Sequence, residues 1–327
     1  MNKFTALQFT IIALLSLSAS THLLAEQNQA TPSTTTPQQG ASTQSSKEYI
    51  IPKPQASRIE ALRTSLNLRH LDHQIQTLEA NGESFLALYR PSLTSSTQGC
   101  VIMLHSDNEH PDWPDAIAPL RNAMPEHSWC TISIEVPDII KRAEPVKITA
   151  PPADNGQKPP LELPNQAVVF ARIQAAINFA QSQEVNQFTF LGYGTGASYA
   201  LSFLSTNPSS GQALALIDIE PPIGLSEYEI AQQIRPISQP ILDYYVNKTG
   251  NEQFALWRKQ AANQRTEVKG EFIQIDALPD RVIGKNSKQL LIQRVRGFLK
   301  QNTSQINQRK TLPSTKKGLF YESPINN

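Results

Sequence analysis

LGYGTGASYAL, residues 191–201, decides the fold. Together with Phe188, Thr189 and Phe190 before it, the stretch begins as a short apolar run of strand character. It then passes through Gly192, Gly194 and Gly196 and leaves as a helix-forming segment. A strand handed to a helix through so tight a turn is the unit of a parallel sheet, because parallel strands need a crossover rather than a hairpin.

The same rhythm extends in both directions. Upstream, CVIMLH (100–105) and CTISIEV (130–136) are continuous apolar runs of the kind buried on both faces of a parallel sheet. A helix is expected between them over Pro114–Met124, with Pro114 near its first turn. Gln166–Gln183 carries Val169, Ile173, Ala176, Ile177 and Ala180 at helical spacing. Downstream, strands are expected at 213–219, 240–246 and 270–276, and helices at 196–204, 226–234, 252–263 and 287–300. Near the start, 73–79 and 84–90 flank Ala80-Asn81-Gly82-Glu83, an Asn-Gly turn signal, and predict a β-hairpin. The sum is an α/β domain: a mostly parallel sheet, helices on both faces, and an N-terminal β-hairpin.

That domain occupies residues 49–300, about 250 residues, a usual size for a single α/β unit. Residues 1–25 read as a secretory signal: Lys3, an apolar stretch from Phe9 to Leu17, then small residues ending at Ala25. The apolar stretch is about half the roughly 20 residues a membrane span requires, so no stable span is expected after cleavage. Residues 26–48 contain no apolar side chain larger than Ala and are expected to be a disordered linker. Residues 301–327 look similar and are expected to be a flexible tail. The implied location is the periplasm. A proline-rich stretch, Lys141–Pro164, is expected to form an irregular loop that could dock a protein partner.

Composition removes several function classes. With 29 basic and 28 acidic residues the net charge is +1, which leaves no cationic excess for a nucleic-acid partner. Two cysteines cannot build a disulfide-rich scaffold or a Cys-rich zinc module. The six histidines are His22, His70, His73, His105, His110 and His127, with none beyond residue 127. His105, Asp107, His110 and Asp112 are metal-capable, but no further His or Cys completes a recognised set, so no metal is expected. The glycines of 192–196 match neither a P-loop nor G-x-G-x-x-G, since Tyr199 stands third after Gly196, and no cofactor is expected.

Ligands of open α/β sheets bind at the carboxyl ends of the strands. Two such ends carry chemistry here: Gly192-Tyr193-Gly194-Thr195-Gly196, and His105-Ser106-Asp107-Asn108 directly after CVIML. In these two segments the chain resembles the α/β-hydrolase superfamily, the first standing where its Gly-x-Ser-x-Gly nucleophile elbow lies and the second where its oxyanion loop lies. More narrowly, HSDNEHPDWPDAIAPLRNAMPEHSWCTISIEVPD, LGYGTGASYAL and QPILDYYV resemble an exported bacterial family, domain of unknown function 3530, assigned to the same fold.

The departures from that pattern matter as much as the match. Gly194 occupies the nucleophile position and has no side chain, Thr195 comes one place late, and Ala277-Leu278-Pro279-Asp280 stands where the histidine would be. The resemblance therefore implies a degenerate site that binds a small molecule or envelope component in a pocket formed by His105, Ser106, Asp107, Tyr193, Gly194 and Thr195. The alternative is an ester or amide hydrolase with Thr195 as displaced nucleophile, His105 as base and Asp243 as the acid candidate. Against those roles, Thr195 could cap the helix behind it, and Asp243 and Asp218 could serve only to satisfy backbone N–H groups. A helix-capping role is expected for Asp112, and packing beside Trp113 for His110. In the superfamily's sheet order Cys100 and Cys130 begin neighbouring strands, which implies either a structural disulfide or two buried thiols.

Overall fold

The structure, a computed structural model, describes residues 54–139, 161–246, 252–277 and 286–307. The expected signal sequence and linker, most of the proline-rich loop, residues 278–280 and the last twenty positions lie outside the described residues.

Helix α1 (Pro54–Leu68) leads into a hairpin of β1 (Ile75–Ala80) and β2 (Glu83–Arg90). The hairpin turns on Asn81 and Gly82, both at positive φ (53° and 79°), which is the backbone that an Asn-Gly pair supplies at least cost. Then follow β3 (Gly99–Leu104), α2 (Ile117–Ala123), β4 (Trp129–Ile134), α3 (Gln166–Ser182), β5 (Phe188–Tyr193) and α4 (Thr195–Thr206). The chain continues through β6 (Ala213–Ile217), α5 (Glu227–Gln232), β7 (Ile241–Val246), α6 (Glu252–Asn263), β8 (Phe272–Ala277) and α7 (Ser287–Asn302).

All eight strands form one sheet in the order β1-β2-β4-β3-β5-β6-β7-β8. The hairpin strands run antiparallel, to each other and to β4, and every other pairing is parallel. The continuous apolar runs read in β3, β4 and β6 are buried at every position, because helices cover both faces. On one face Cys100, Ile102 and Leu104 of β3 pack with Ile173 and Ala176 of α3 and Ala200 and Leu204 of α4. On the other, Val101 and Met103 pack with Ile117 and Leu120 of α2 and Val295 and Phe298 of α7. Among the described residues no helix is long and apolar enough to cross a membrane.

Cys100 and Cys130 stand directly opposite in the β3–β4 register and are joined by a disulfide, with their Cα atoms 4.4 Å apart. Both are buried, near the amino ends of their strands and away from the elbow, so the bridge is structural.

Three local expectations are corrected. The helix expected from Pro114 begins only at Ile117, and Asp112 does not cap it. Its carboxylate is instead drawn into ion pairs with the buried Arg121 (2.6 Å) and with Arg69 (3.1 Å). Secondly, α1 was not anticipated, because only Ile59, Leu62 and Leu66 give it an apolar face, closed against Leu86 and Leu88 of β2. Thirdly, the ordered chain does not stop at Lys300: α7 runs to Asn302 and a 3-10 turn follows over Ser304–Asn307. Gln305 there is buried, accepts the Trp129 indole N–H (2.8 Å) and donates to the His127 carbonyl (3.0 Å). A buried indole needs such a partner, and this residue of the expected tail supplies it.

Candidate functional site

The elbow is built as its glycines require. Gly194, between β5 and α4, has φ 56° and ψ −126°, a conformation that side-chain-bearing residues adopt only under strain. Gly196 brings the first turn of α4 so close to β3 that a Cβ there would overlap the carbonyls of Leu104 and His105. The N–H of Gly194 is donated to the Ile217 carbonyl (3.1 Å), which ties the turn to the end of β6.

Ser106, from the loop after β3, fills the space above the turn. A Cβ added to Gly194 would overlap the Ser106 hydroxyl and lie 2.7 Å from its Cβ. The hydroxyl oxygen accepts the N–H of Thr195 (3.1 Å) and lies 3.3 Å from the Thr195 hydroxyl. The Thr195 hydroxyl in turn accepts the N–H of Asp107 (2.8 Å), and the N–H of Ser106 is donated to the Glu109 carboxyl (3.0 Å). The N–H groups of Ser106, Asp107 and Thr195 are thus each met by a side-chain oxygen of the protein itself. The helix-capping role considered for Thr195 is replaced by this brace across to the β3 loop.

His105 is buried and has no nitrogen to spare. Its Nε2 accepts the N–H of Val136 (2.9 Å), so Nδ1 carries the proton and donates to the Ser106 carbonyl (2.8 Å). Burial, above all, lowers its pKa to about 3, and the ring is neutral. It fixes the loop rather than serving as a base for Thr195.

Asp243 is removed from this group altogether. It lies in the middle of β7, fully buried, where its Oδ2 accepts from Arg258 Nε (2.8 Å) and from Gln274 (2.9 Å). Arg258 is stacked on Phe254, its guanidinium carbon 4.3 Å from the ring centre. Asp243 therefore forms a core ion pair and is not a triad acid. The backbone-binding role considered for both aspartates falls to Asp218, which accepts the N–H of Val246 (2.7 Å).

Of the six residues expected to form a pocket, Ser106, Asp107, Gly194 and Thr195 are in direct contact, His105 lies beneath them, and Tyr193 is half-buried at the strand end. Burial, with the carboxylates of Glu109, Asp115, Asp218 and Glu220 nearby, raises the Tyr193 phenol well above its usual range. The metal-capable residues scatter: Asp107 accepts the N–H of Ile139, Asp112 binds arginines, and His110 packs edge-on to Trp113 at 5.3 Å. No group of three or more metal-binding side chains occurs among the described residues.

Two participants escaped the sequence reading. Glu109 closes over the loop, and burial raises its pKa to about 8 against the lowering effects of the Ser106 N–H and Arg58. Its only signal was a carboxylate three residues after Ser106. Arg58 of α1 donates to the Glu109 carbonyl (2.8 Å) and pairs with Asp138, so the unanticipated helix pins this same loop.

The sequence profile of one family, described as a protein of unknown function (DUF3530), matches residues 7–301. The chain belongs to the DUF3530 family. None of the curated proteins matches it. Among solved structures, a dienelactone hydrolase from Anabaena variabilis is 11% identical with a TM-score of 0.51, over 71% of this chain and 100% of that one. Est1E from Butyrivibrio proteoclasticus is also 11% identical, with a TM-score of 0.49 over 72% of this chain and 100% of that one. At such identities the likeness is one of fold, and this DUF3530 protein has an α/β-hydrolase fold.

Proposed function

We propose that this protein is an exported member of the α/β-hydrolase fold whose elbow no longer performs nucleophilic catalysis, and that it acts by binding a small molecule or envelope component. One observation carries the reading: the Ser106 hydroxyl fills the side-chain space over Gly194 and takes the N–H of Thr195. Acyl transfer needs a nucleophile with a base and free donors at the developing oxyanion. The turn instead engages its donors with its own side chains, and the imidazole beneath it, His105, is committed to backbone. The crevice at the carboxyl ends of the strands is where ligands of open α/β sheets bind, which supports retention of a binding role.

A fluorophosphonate probe tests the catalytic half. The native protein is expected to remain unlabelled beside a labelled serine esterase, and labelling that disappears in Thr195→Ala or Ser106→Ala would overturn the proposal. Native mass spectrometry of protein released from the periplasm tests the binding half, with a co-purifying small molecule expected. The disulfide supports export to an oxidising compartment. Sequencing of the mature N-terminus is expected to find cleavage after Ala25.

A further inference from the structure

Helices α5 and α6 follow β6 and β7, so both begin at the carboxyl edge of the sheet, the edge that carries the elbow. Glu220 fastens this region to the elbow: its N–H is donated to the Gly194 carbonyl (3.1 Å) and its carbonyl accepts the Ser198 hydroxyl (2.7 Å). Ile223 stands three residues further on, Tyr228 lies in the first turn of α5, and Leu256 and Trp257 lie in the first two turns of α6. The Tyr228 and Trp257 rings meet edge-on with centres 5.7 Å apart and close the seam between the two helices.

Apolar surface is left open here. Ile223 is 69% exposed, Tyr228 50% and Leu256 52%, three of the seven large apolar side chains exposed among the described residues. Apolar groups exposed singly are ordinary, but several at one end of two neighbouring helices mark a surface that another segment covers. The charge around them has one sign. Glu227 and Glu229 stand in the first turn of α5 and Glu252 in that of α6, with Glu220 before them. Arg258 is buried and paired with Asp243, which leaves Lys259 as the one exposed basic residue of the two helices. The helix dipoles account for acids in first turns. They give no reason for bare Ile223, Tyr228 and Leu256.

A segment that fits this surface needs cationic groups followed closely by apolar ones. The chain supplies one in Lys316-Lys317-Gly318-Leu319-Phe320-Tyr321, beyond the described residues. The connection is long enough. The N–H of Ser304 is donated to Gln212 (3.1 Å), which immediately precedes β6, so the described chain ends at Asn307 near the amino edge of that strand. To reach the surface from there, a segment must climb the length of α6, about 18 Å for its 12 residues, and cross one layer of about 10 Å. Lys316 and Leu319 follow Asn307 by nine and twelve residues, an extended reach of up to about 30 and 40 Å.

We infer that the α5–α6 surface is the docking site of this chain's own C-terminal segment, Lys316 to Tyr321. Its apolar residues cover Ile223, Tyr228 and Leu256, and its two lysines lie among the glutamates. The contact is independent of what the elbow binds.

Zero-length carbodiimide crosslinking of the full-length mature protein tests the inference, with unlabelled and heavy-isotope-labelled chains mixed equally and the products read by mass spectrometry. Amide links from Lys316 or Lys317 to Glu220, Glu227, Glu229 or Glu252 are expected, and within single chains. Leu319→Ser, Phe320→Ser and Tyr321→Ser made together leave both lysines in place. This variant is expected to lower the yield of those links by about tenfold or more, since burial of even one large apolar side chain is worth that much. Ile223→Ser with Leu256→Ser, at two exposed positions, is expected to act in the same direction. Absence of the links, links that join only different chains, or a yield unmoved by either variant would overturn the inference.

Discussion

If Ser106 stands where the elbow's side chain would otherwise be, the two positions must be energetically coupled. The perturbation is Gly194→Ala, made alone and together with Ser106→Gly. Alone, the new Cβ meets two penalties. The backbone at φ 56° and ψ −126° costs a side-chain-bearing residue about 1–3 kcal/mol. Overlap with the Ser106 hydroxyl and with its Cβ at 2.7 Å costs about 1–3 kcal/mol more in a closely packed site. The single variant is therefore expected to lose about 4 kcal/mol. Ser106→Gly alone loses the hydroxyl that accepts the Thr195 N–H and adds backbone freedom, together about 2 kcal/mol. In the double variant the overlap is gone and the backbone strain remains beside the loss from Ser106→Gly, so the combined loss falls short of the sum by about 1–3 kcal/mol. Urea unfolding of the four proteins, disulfide intact, reads this coupling from the midpoints at constant slope. Additivity within about 0.5 kcal/mol would refute the reasoning, because it would mean that Ser106 does not fill the space above Gly194.

Other consequences follow from individual groups. Glu109, with its pKa raised from 4.5 to about 8, keeps its proton in the folded state where the unfolded chain has released it. Stability contributed there is expected to fall as pH rises from about 4.5 to about 8, and Glu109→Gln is expected to flatten that part of the stability profile; an unchanged slope would count against it. Asp243→Asn leaves the buried Arg258 charge unpaired and is expected to cost about 3–5 kcal/mol in urea unfolding, whereas Asp243→Leu with Arg258→Met is expected to recover most of the loss. If both variants are equally unstable, the pair is not the source of the cost. Replacing Cys100 and Cys130 by Ser reopens a loop of sequence separation 30 and is expected to lower stability by about 3–4 kcal/mol, with the fold retained by circular dichroism.

The fold was legible wherever burial on both faces forces a continuous apolar run, as in CVIML and ALALI, and wherever a turn needs a particular residue, as at Asn81-Gly82. It was not legible for α1, whose few apolar residues form a face only against β2, nor for Gln305, whose burial answers a need of Trp129 distant in sequence. The candidate site divides along the same line. The positions of His105, Ser106, Asp107, Gly194 and Thr195 follow from two strand ends that are neighbours in the sheet, β3 and β5. Their hydrogen-bond allegiances do not follow, because they depend on which donor reaches which acceptor across the loop. Asp243 shows the difference: its strand was anticipated, but the face it occupies and the arginine that holds it come from α6.

An elbow of this kind answers two separate demands, and the glycines here meet only one of them. Closing α4 onto β3 requires the missing Cβ at Gly196, and reversing the chain at the end of β5 requires the positive φ at Gly194. Both are requirements of packing and hold whether or not any reaction takes place. Nucleophilic chemistry adds a reactive side chain at 194, a base within reach and donors left open for an oxyanion. At 194 the side chain is replaced by a neighbour's hydroxyl, His105 is locked by Val136 and Ser106, and the N–H groups of Ser106, Asp107 and Thr195 are filled. Each of these contacts also satisfies a polar group of the turn, so on the proposed reading the bonds that stabilise the site are the same ones that leave it without free donors for catalysis. Opening it for a reaction would cost the loss of several such bonds together, and that cost, more than the absent serine, is the physical argument behind the proposed binding role.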